Sequence, residues 1–363
     1  MKLPPTSIVI RIMQKVLFFL SPGCGGAERM TITIAKMLNR IDFDVHFVVV
    51  GRAIGEIKAF IPNDYPLTLI KVRNIYDFST MRIFLELKRE KPQIVFSSLM
   101  YLNPRLIFAA SKVGGIRTIV RFNCAVNRVG GLLKILSKRI YPKAELIIAQ
   151  TESMRVELIR TFGLKGEKVV TMHNLIDKET IAEKLKDVQN PYEKTEGRKY
   201  VWVARFNEIK QPEVLVKSFK KVHDQDNKAR LFLVASISES NEVYKGIKSL
   251  VEALNLGDCV FFTGFQTNPY KWMKYADCLV LTSRSEASPN VVFESLFLGT
   301  PVVVSECTPD LDEIIGDNNG IVVPVGDIDK TAAAMLRVKK TADVKLNRNL
   351  SETEVINQMF IKK

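Results

Sequence analysis

Histidine is nearly absent from this chain: His46, His173 and His223 are the only three in 363 residues, and they stand far apart. No Ser-His-Asp arrangement can be assembled from them. His46 and His223 read as structural, and His173-Asn174, after an apolar run, is the pair placed to line a cleft. Cysteine is sparse too. Cys24, Cys124, Cys259, Cys278 and Cys307 are odd in number, widely spaced and without a C-x-x-C pair. That pattern argues against a disulfide framework and a zinc site, and fits a reducing cytoplasm. Long apolar runs are missing as well. The most apolar N-terminal stretch is residues 16–20, whereas a membrane span needs about 20 apolar residues. No small-residue cleavage site follows it, so it reads as a poor signal peptide. Met13-Gln14-Lys15-Val16 looks like a natural start, and residues 1–12 are expected to be an extension outside the fold.

Acidic residues are short in one half only. Residues 1–190 hold 30 Lys and Arg against 16 Asp and Glu, while the other 173 hold 23 of each, so the first half carries the whole net charge of +14. Such a half suggests an anionic partner: nucleic acid, membrane headgroups or a phosphorylated substrate. The two tryptophans, Trp202 and Trp272, are not set among basic clusters, and no nucleic-acid module is recognisable, which argues against nucleic acid.

What is present is alternation. Short apolar runs at 16–20, 45–50, 94–97, 118–121, 146–149 and 169–172 are separated by helical patterns. The pattern stops over the polar residues 186–198, then resumes with runs at 200–204, 231–235, 259–263, 278–282, 301–305 and 321–324. Strand–helix alternation implies a parallel sheet covered on both faces, and the length suits two domains. The expected organisation is α/β: two Rossmann-like parallel-sheet domains, residues 1–190 and 191–340. A segment at 341–363 is expected to return as a helix to the first. Ligands of open parallel sheets bind beyond the carboxyl ends of strands, so two such domains facing each other make one inter-domain cleft.

Three loops carry candidate chemistry. Gly23-Cys24-Gly25-Gly26 follows the first strand and opens a helix. It fits a tight turn and a ligand loop equally, and Glu28 breaks the dinucleotide fingerprint. After the run 200–204 stand Arg205 and Lys210 before a helix opening with Gln211-Pro212. Two cations beside a helix N-terminus suit a diphosphate and stabilise charge on a departing nucleotide; the plainer reading is solvated surface charge. After the run 278–282 comes Ser283-Arg284-Ser285-Glu286-Ala287-Ser288-Pro289. Ser288 is the expected N-cap and Pro289 the helix start. Glu286 lies where a sugar would sit. Glu294, among apolar residues, is placed to accept hydrogen bonds from a ribose, unless it lies on a wet helix face. Four D-x-D triplets, at 42/44, 224/226, 310/312 and 327/329, read as turn or helix-start residues.

Together these motifs resemble retaining glycosyltransferases of family 4, with the GT-B fold. Glu286-x7-Glu294, Arg205 with Lys210, Gly25-Gly26-Ala27-Glu28-Arg29 and Gly299-Thr300-Pro301-Val302-Val303 carry the likeness over residues 15–330. Ser288-Pro289-Asn290-Val291 with Ser305-Glu306-Cys307 looks like polysaccharide and O-antigen enzymes. The resemblance implies that Glu286, Arg205 and Lys210 serve catalysis. It gives donor contacts to Glu294, Gly25, Gly26, Ala287, Ser288 and Asn290. It also implies anomeric retention with no metal or other cofactor, the nucleotide-sugar being a substrate. Many relatives have a His where Arg121-Phe122-Asn123 stands, so Arg121 and Asn123 are the expected acceptor-side substitutes. Asp310, where relatives often have Gly, is expected to displace its loop.

The expected activity is transfer of a hexose or N-acetylhexosamine, most simply from a UDP-sugar, to a lipid-linked saccharide. A nucleotide-sugar epimerase of the same fold is the second reading, and a nucleic-acid-binding protein the remote one. The lipid is suggested by the charge. From Asn103 to Lys143 there are nine basic residues and no acidic one. Within it residues 130–143 read as a basic amphipathic helix, with Leu132, Leu133, Ile135, Leu136, Ile140 and Tyr141 apolar and Lys134, Lys138 and Arg139 charged. Such a helix lies on an anionic membrane surface, here the inner leaflet of the cytoplasmic membrane.

Overall fold

The computed structural model describes residues 13–346 and 356–361, apart from 24, 39, 41, 74–78, 124–130, 310, 312–314, 317 and 358. The chain forms two compact units, residues 1–175 with 350–363, and residues 176–349.

The first unit contains seven parallel strands: β1 (Gln14–Leu20), β2 (Phe43–Gly51), β3 (Leu67–Lys71), β4 (Ile94–Ser97), β5 (Arg117–Arg121), β6 (Leu146–Ala149) and β7 (Val169–Thr171). They lie in the order β3-β2-β1-β4-β5-β6-β7. Successive side chains of a strand face opposite ways. Val16, Phe18 and Leu20 therefore enter one apolar cluster, and Leu17 and Phe19 enter another. A strand buried on both faces has no polar position, which is why 16–20 reads as an unbroken apolar run. The covering helices include α1 (Gly26–Met37), α2 (Ser79–Glu90), α3 (Asn103–Val113), α4 (Gly131–Ile140) and α5 (Glu152–Phe162).

In the second unit, β8 (Lys199–Val203), β9 (Arg230–Val234), β10 (Val260–Phe262), β11 (Cys278–Leu281), β12 (Val302–Ser305) and β13 (Gly320–Val323) form a parallel sheet. Its order is β10-β9-β8-β11-β12-β13. Helices α6 (Lys178–Lys184), α7 (Pro212–Gln225), α8 (Glu242–Ala253), α9 (Tyr270–Tyr275) and α10 (Asn290–Phe297) are among those that cover it.

The division falls at 175/176, not at 190/191. Ile176, Ile181 and Tyr192 are buried in the second unit's core, so the polar stretch expected as a linker is surface of that unit. The C-terminal segment is split as well. Val344 packs into the second core, whereas Ile356 and Phe360 are buried in the first, where Phe360 stacks on Phe18. Strand β3 was not among the expected runs. Only Ile70 of its five residues is fully buried, so its apolar signal is weak.

Candidate functional site

In the second sheet the chain winds outward one way through β8, β9 and β10, and the other way through β11, β12 and β13. The helices that follow β8 and β11 therefore pack on opposite faces of the sheet, and the crevice of such a sheet lies at these strands' carboxyl ends. The sequence places its candidate residues on the loops after these two strands.

The β8 loop carries exposed Arg205 and then a single 3₁₀ turn, Glu208–Lys210, whose first N–H groups need a cap. Asn207 supplies it: its Oδ1 accepts from the Lys210 N–H at 3.0 Å. Gln211 follows in the left-handed region at φ 44°, strained for a residue with a Cβ. Backbone strain of this kind collects at ligand sites. Pro212 then opens α7.

The β11 loop is stitched to the β8 loop. The Thr282 hydroxyl lies 3.0 Å from the carbonyls of both Lys210 and Gln211, and the Arg284 N–H donates to the Ile209 carbonyl at 2.6 Å. A third loop, after β12, joins them. Ser305 Oγ donates to the Ser283 carbonyl at 2.5 Å, and the Glu286 N–H donates to the Cys307 carbonyl at 2.9 Å. All three meet at Glu286, whose carboxylate Oε1 accepts from Ser283 Oγ at 2.7 Å and from Lys210 Nζ. Neither side chain is sealed in: Lys210 is 21% exposed and Glu286 17%. Burial, with the Glu286 charge next in weight, pushes the neighbouring Cys307 thiol up to about 12.

Glu294, the fifth residue of α10, is 9% exposed beside buried Val292, Phe293 and Leu296, so it does not lie on a wet face. Ser288 is buried and Ala287 half-buried. The expected helix start is one residue early, because Pro289 occupies the N-cap position and Asn290 begins the helix.

In the first sheet the equivalent crevice lies between β1 and β4. Gly25 is the N-cap of α1 and Gly26 its first residue. Glu28 folds back on this loop, accepting from the Gly25 N–H at 3.2 Å and from Ser21 Oγ. A Cβ on Gly25 would lie 2.8 Å from Glu28 Oε2, so a glycine is needed there for the carboxylate to close on it. Glu28 thus caps the helix. Its signal in the sequence was the Gly25-x-x-Glu28 spacing of a capping box.

Arg121, expected to face an acceptor, is a correction. It is 1% exposed, with one guanidinium nitrogen on Asn174 Oδ1 and, among the described residues, no partner for its Nε, and burial lowers its pKa to about 9. Asn103 Nδ2 holds its carbonyl at 3.1 Å. An arginine ending a strand reads as a surface residue; here the side chain is enclosed within the unit. Asn123 is half-buried.

On α4, Ile135 is 57% exposed and Leu136 44%, beside exposed Lys138 and Arg139. Lys134 lies on the same helix. Phe108 of α3 is also exposed, with the ammonium groups of Lys112 and Lys143 at 5.6 and 5.9 Å from its ring centre. Tyr141, expected on the apolar side of α4, instead starts a 3₁₀ turn and stacks on Phe162 inside the core. Among the described residues no helix is long and apolar enough to cross a membrane.

Asp327 caps the helix Ile328–Arg337, Asp224 and Asp329 pair with lysines, and Asp44 pairs with His46. The 310/312 triplet, with the displaced loop expected at Asp310, lies outside the described residues, as do residues 1–12.

Residues 24–180 match the model described as Glycosyltransferase Family 4, and residues 181–354 match Glycosyl transferases group 1. The chain belongs to glycosyltransferase family 4 and has the GT-B fold. Among curated proteins it is 28% identical over 330 residues, 86% of this chain and 87% of the other, to a Campylobacter jejuni enzyme. That enzyme is the N-acetylgalactosamine-N,N'-diacetylbacillosaminyl-diphospho-undecaprenol 4-alpha-N-acetylgalactosaminyltransferase. It is 27% identical over 163 residues, 45% of each chain, to the lipopolysaccharide core biosynthesis glycosyltransferase LpsD of Rhizobium meliloti. Its fold is similar to that of Anabaena HepE in complex with UDP, with a TM-score of 0.76 at 15% identity over 96% of this chain and 98% of the other.

Proposed function

We propose that this glycosyltransferase moves a hexose or N-acetylhexosamine from a UDP-sugar to a lipid-linked saccharide, with retention and without a metal ion, at an anionic membrane surface. The observation that carries the reading is the meeting of Lys210 and Glu286 at the crevice between β8 and β11. A cation and a carboxylate on two stapled loops provide one group for a leaving diphosphate and one for a sugar.

In this reading Arg205 and Lys210 stabilise negative charge as it grows on the leaving diphosphate. The acceptor hydroxyl attacks the anomeric carbon on the face from which the nucleotide leaves. The carbon–oxygen bond to the diphosphate breaks, the bond to the acceptor oxygen forms, and the leaving phosphate oxygen takes the acceptor proton. Glu286 holds the donor sugar, Glu294 the ribose hydroxyls, and Ala287, Ser288 and Asn290 complete this unit's donor contacts. Diphosphate binding draws Lys210 away from Glu286, which frees a carboxylate oxygen for the sugar. UDP in the Anabaena structure and diphospho-undecaprenol in the C. jejuni enzyme's name support the donor and acceptor classes. Exposed Ile135, Leu136 and Phe108 among Lys112, Lys138, Arg139 and Lys143 support a membrane surface.

A panel of nucleotide-sugars, incubated with a polyprenyl-diphosphate-linked acceptor in EDTA, tests this. Transfer from a UDP-sugar is expected. Interconversion of the sugars without acceptor indicates an epimerase instead, and activity only with added divalent ion removes the metal-free mechanism.

A further inference from the structure

The first sheet carries a second feature that the donor site does not use. Beyond the carboxyl ends of β2 and β3 lies a pocket of about 470 Å³ lined by Arg52, Lys71, Val72, Arg73 and Arg82. Four of these five residues are cationic. Strand pairing sets Gly51 opposite Lys71, so Arg52, next after β2, comes level with the end of β3. The Val72 N–H to the Gly51 carbonyl, 3.0 Å, continues the pairing. Arg82 reaches in from the first turn of α2.

Two of the guanidinium groups are held in place. Arg52 Nε donates to the Arg73 carbonyl and Arg82 Nη1 to the Lys71 carbonyl, both at 2.6 Å. Each is tied by one nitrogen, and its other N–H groups stay available in a fixed plane. Among the described residues no carboxylate pairs with Arg52, Lys71 or Arg82. Arg52, Lys71 and Arg82, like charges that no acid answers among the described residues, repel one another, and a bound anion relieves that repulsion. Planar arginine forks match phosphate oxygens two at a time, and donors fixed in advance lose little freedom on binding. One carboxylate would answer one of the four cations. A diphosphate answers several and is compact enough for a pocket.

We propose that this pocket is an oxyanion subsite that holds the diphosphate joining the acceptor saccharide to its lipid. The proposal rests on the lipid-linked acceptor of the preceding reading. Its charge chemistry is shared by one other source, the phosphate headgroups of anionic lipids.

The test uses the full chain saturated with UDP, so that the nucleotide site is filled, and titrates inorganic diphosphate by calorimetry. The wild type is expected to bind it. Lys71→Gln and the double variant Arg52→Gln/Arg82→Gln are expected to bind about tenfold more weakly or worse, as for loss of charged hydrogen bonds, with UDP affinity unchanged. Lys71→Gln guards against misfolding, since the exposed Lys71 side chain makes no hydrogen bond or ion pair among the described residues. Equal diphosphate affinity in wild type and variants, or binding abolished by UDP, overturns the proposal. Displacement by a short-chain prenyl diphosphate supports the acceptor as source. Displacement by phosphatidylglycerol vesicles alone assigns the pocket to headgroups and overturns it. If UDP itself does not bind, the donor reading fails, while diphosphate titration without UDP still reports on the pocket.

Discussion

The ammonium of Lys210, after β8, donates to the carboxylate of Glu286, after β11, and the same carboxylate oxygen accepts from Ser283 Oγ at 2.7 Å. These residues are 76 positions apart in the chain. Parallel pairing of β8 with β11 brings their loops together, and Thr282 and Arg284 fasten them.

Removing either partner should therefore cost turnover rather than fold. Lys210→Gln and Glu286→Gln are each expected to lower kcat by about 10²–10³-fold, the usual loss for a group stabilising transition-state charge. The double variant should be little worse than the poorer single one, because the two act as a unit. Steady-state kinetics of the three variants checks this; additive losses would mean that the two side chains act separately.

Arg121 gives a prediction about stability. Asn174→Ala takes the acceptor from a buried cation and should destabilise the chain by about 2–3 kcal/mol, whereas Arg121→Met, which removes the charge, should stay within about 1 kcal/mol of wild type. The pH dependence has a definite sign. The folded pKa, about 9, lies below the ordinary 12.5, so above pH 9 the native state sheds this proton while the unfolded state keeps it. Stability from this group then rises with pH. Urea melts at pH 8 and pH 10 should show wild type gaining on Arg121→Met; a constant difference would mean the guanidinium is not buried as described.

The expected strands were visible because parallel strands covered on both faces carry unbroken apolar runs, as over residues 16–20 of β1, all of β6 and residues 302–304 of β12. The loops were visible because Gly, Pro and Ser mark strand ends. Strand β3 and the division at 175 were not, since a sheet-edge strand is half-buried and since Ile176, Ile181 and Tyr192 show their allegiance only when packed. Lys210 and Glu286 were each legible as candidates. Their contact depends on strand order, which no local pattern states. The burial of Arg121 was illegible for the opposite reason: the local pattern pointed outward.

The thiols should be inert. Burial pushes Cys278 and Cys307 up to about 12 and raises Cys259 as well, so all three are protonated at neutral pH and not nucleophilic. Intact-mass analysis after maleimide treatment at pH 7.5 should find them unmodified in native protein and modified in denaturant. Their raised pKa values stabilise the fold fully below about pH 9, the unfolded value. That contribution is lost as pH rises toward 12, because the unfolded thiols ionise first. Rapid native labelling of any of the three would contradict their burial.

The surface of α3 and α4 should bind anionic membranes. Vesicles containing phosphatidylglycerol should co-sediment the protein and release it in high salt, since each basic residue near the surface contributes about 1 kcal/mol. Replacing Lys134, Lys138 and Arg139 with Gln should weaken binding strongly. Equal binding to neutral vesicles, or no effect of the replacement, would remove this surface from the account.

The central claim is that the crevice between β8 and β11 binds the nucleotide end of the donor, and calorimetric titration of UDP into wild type and Glu294→Gln tests it most directly. The account predicts one UDP per chain in EDTA, with affinity about tenfold weaker in the variant, the loss of a charged hydrogen-bond acceptor for ribose. No UDP binding to the wild type, or equal affinity in the two proteins, would contradict it.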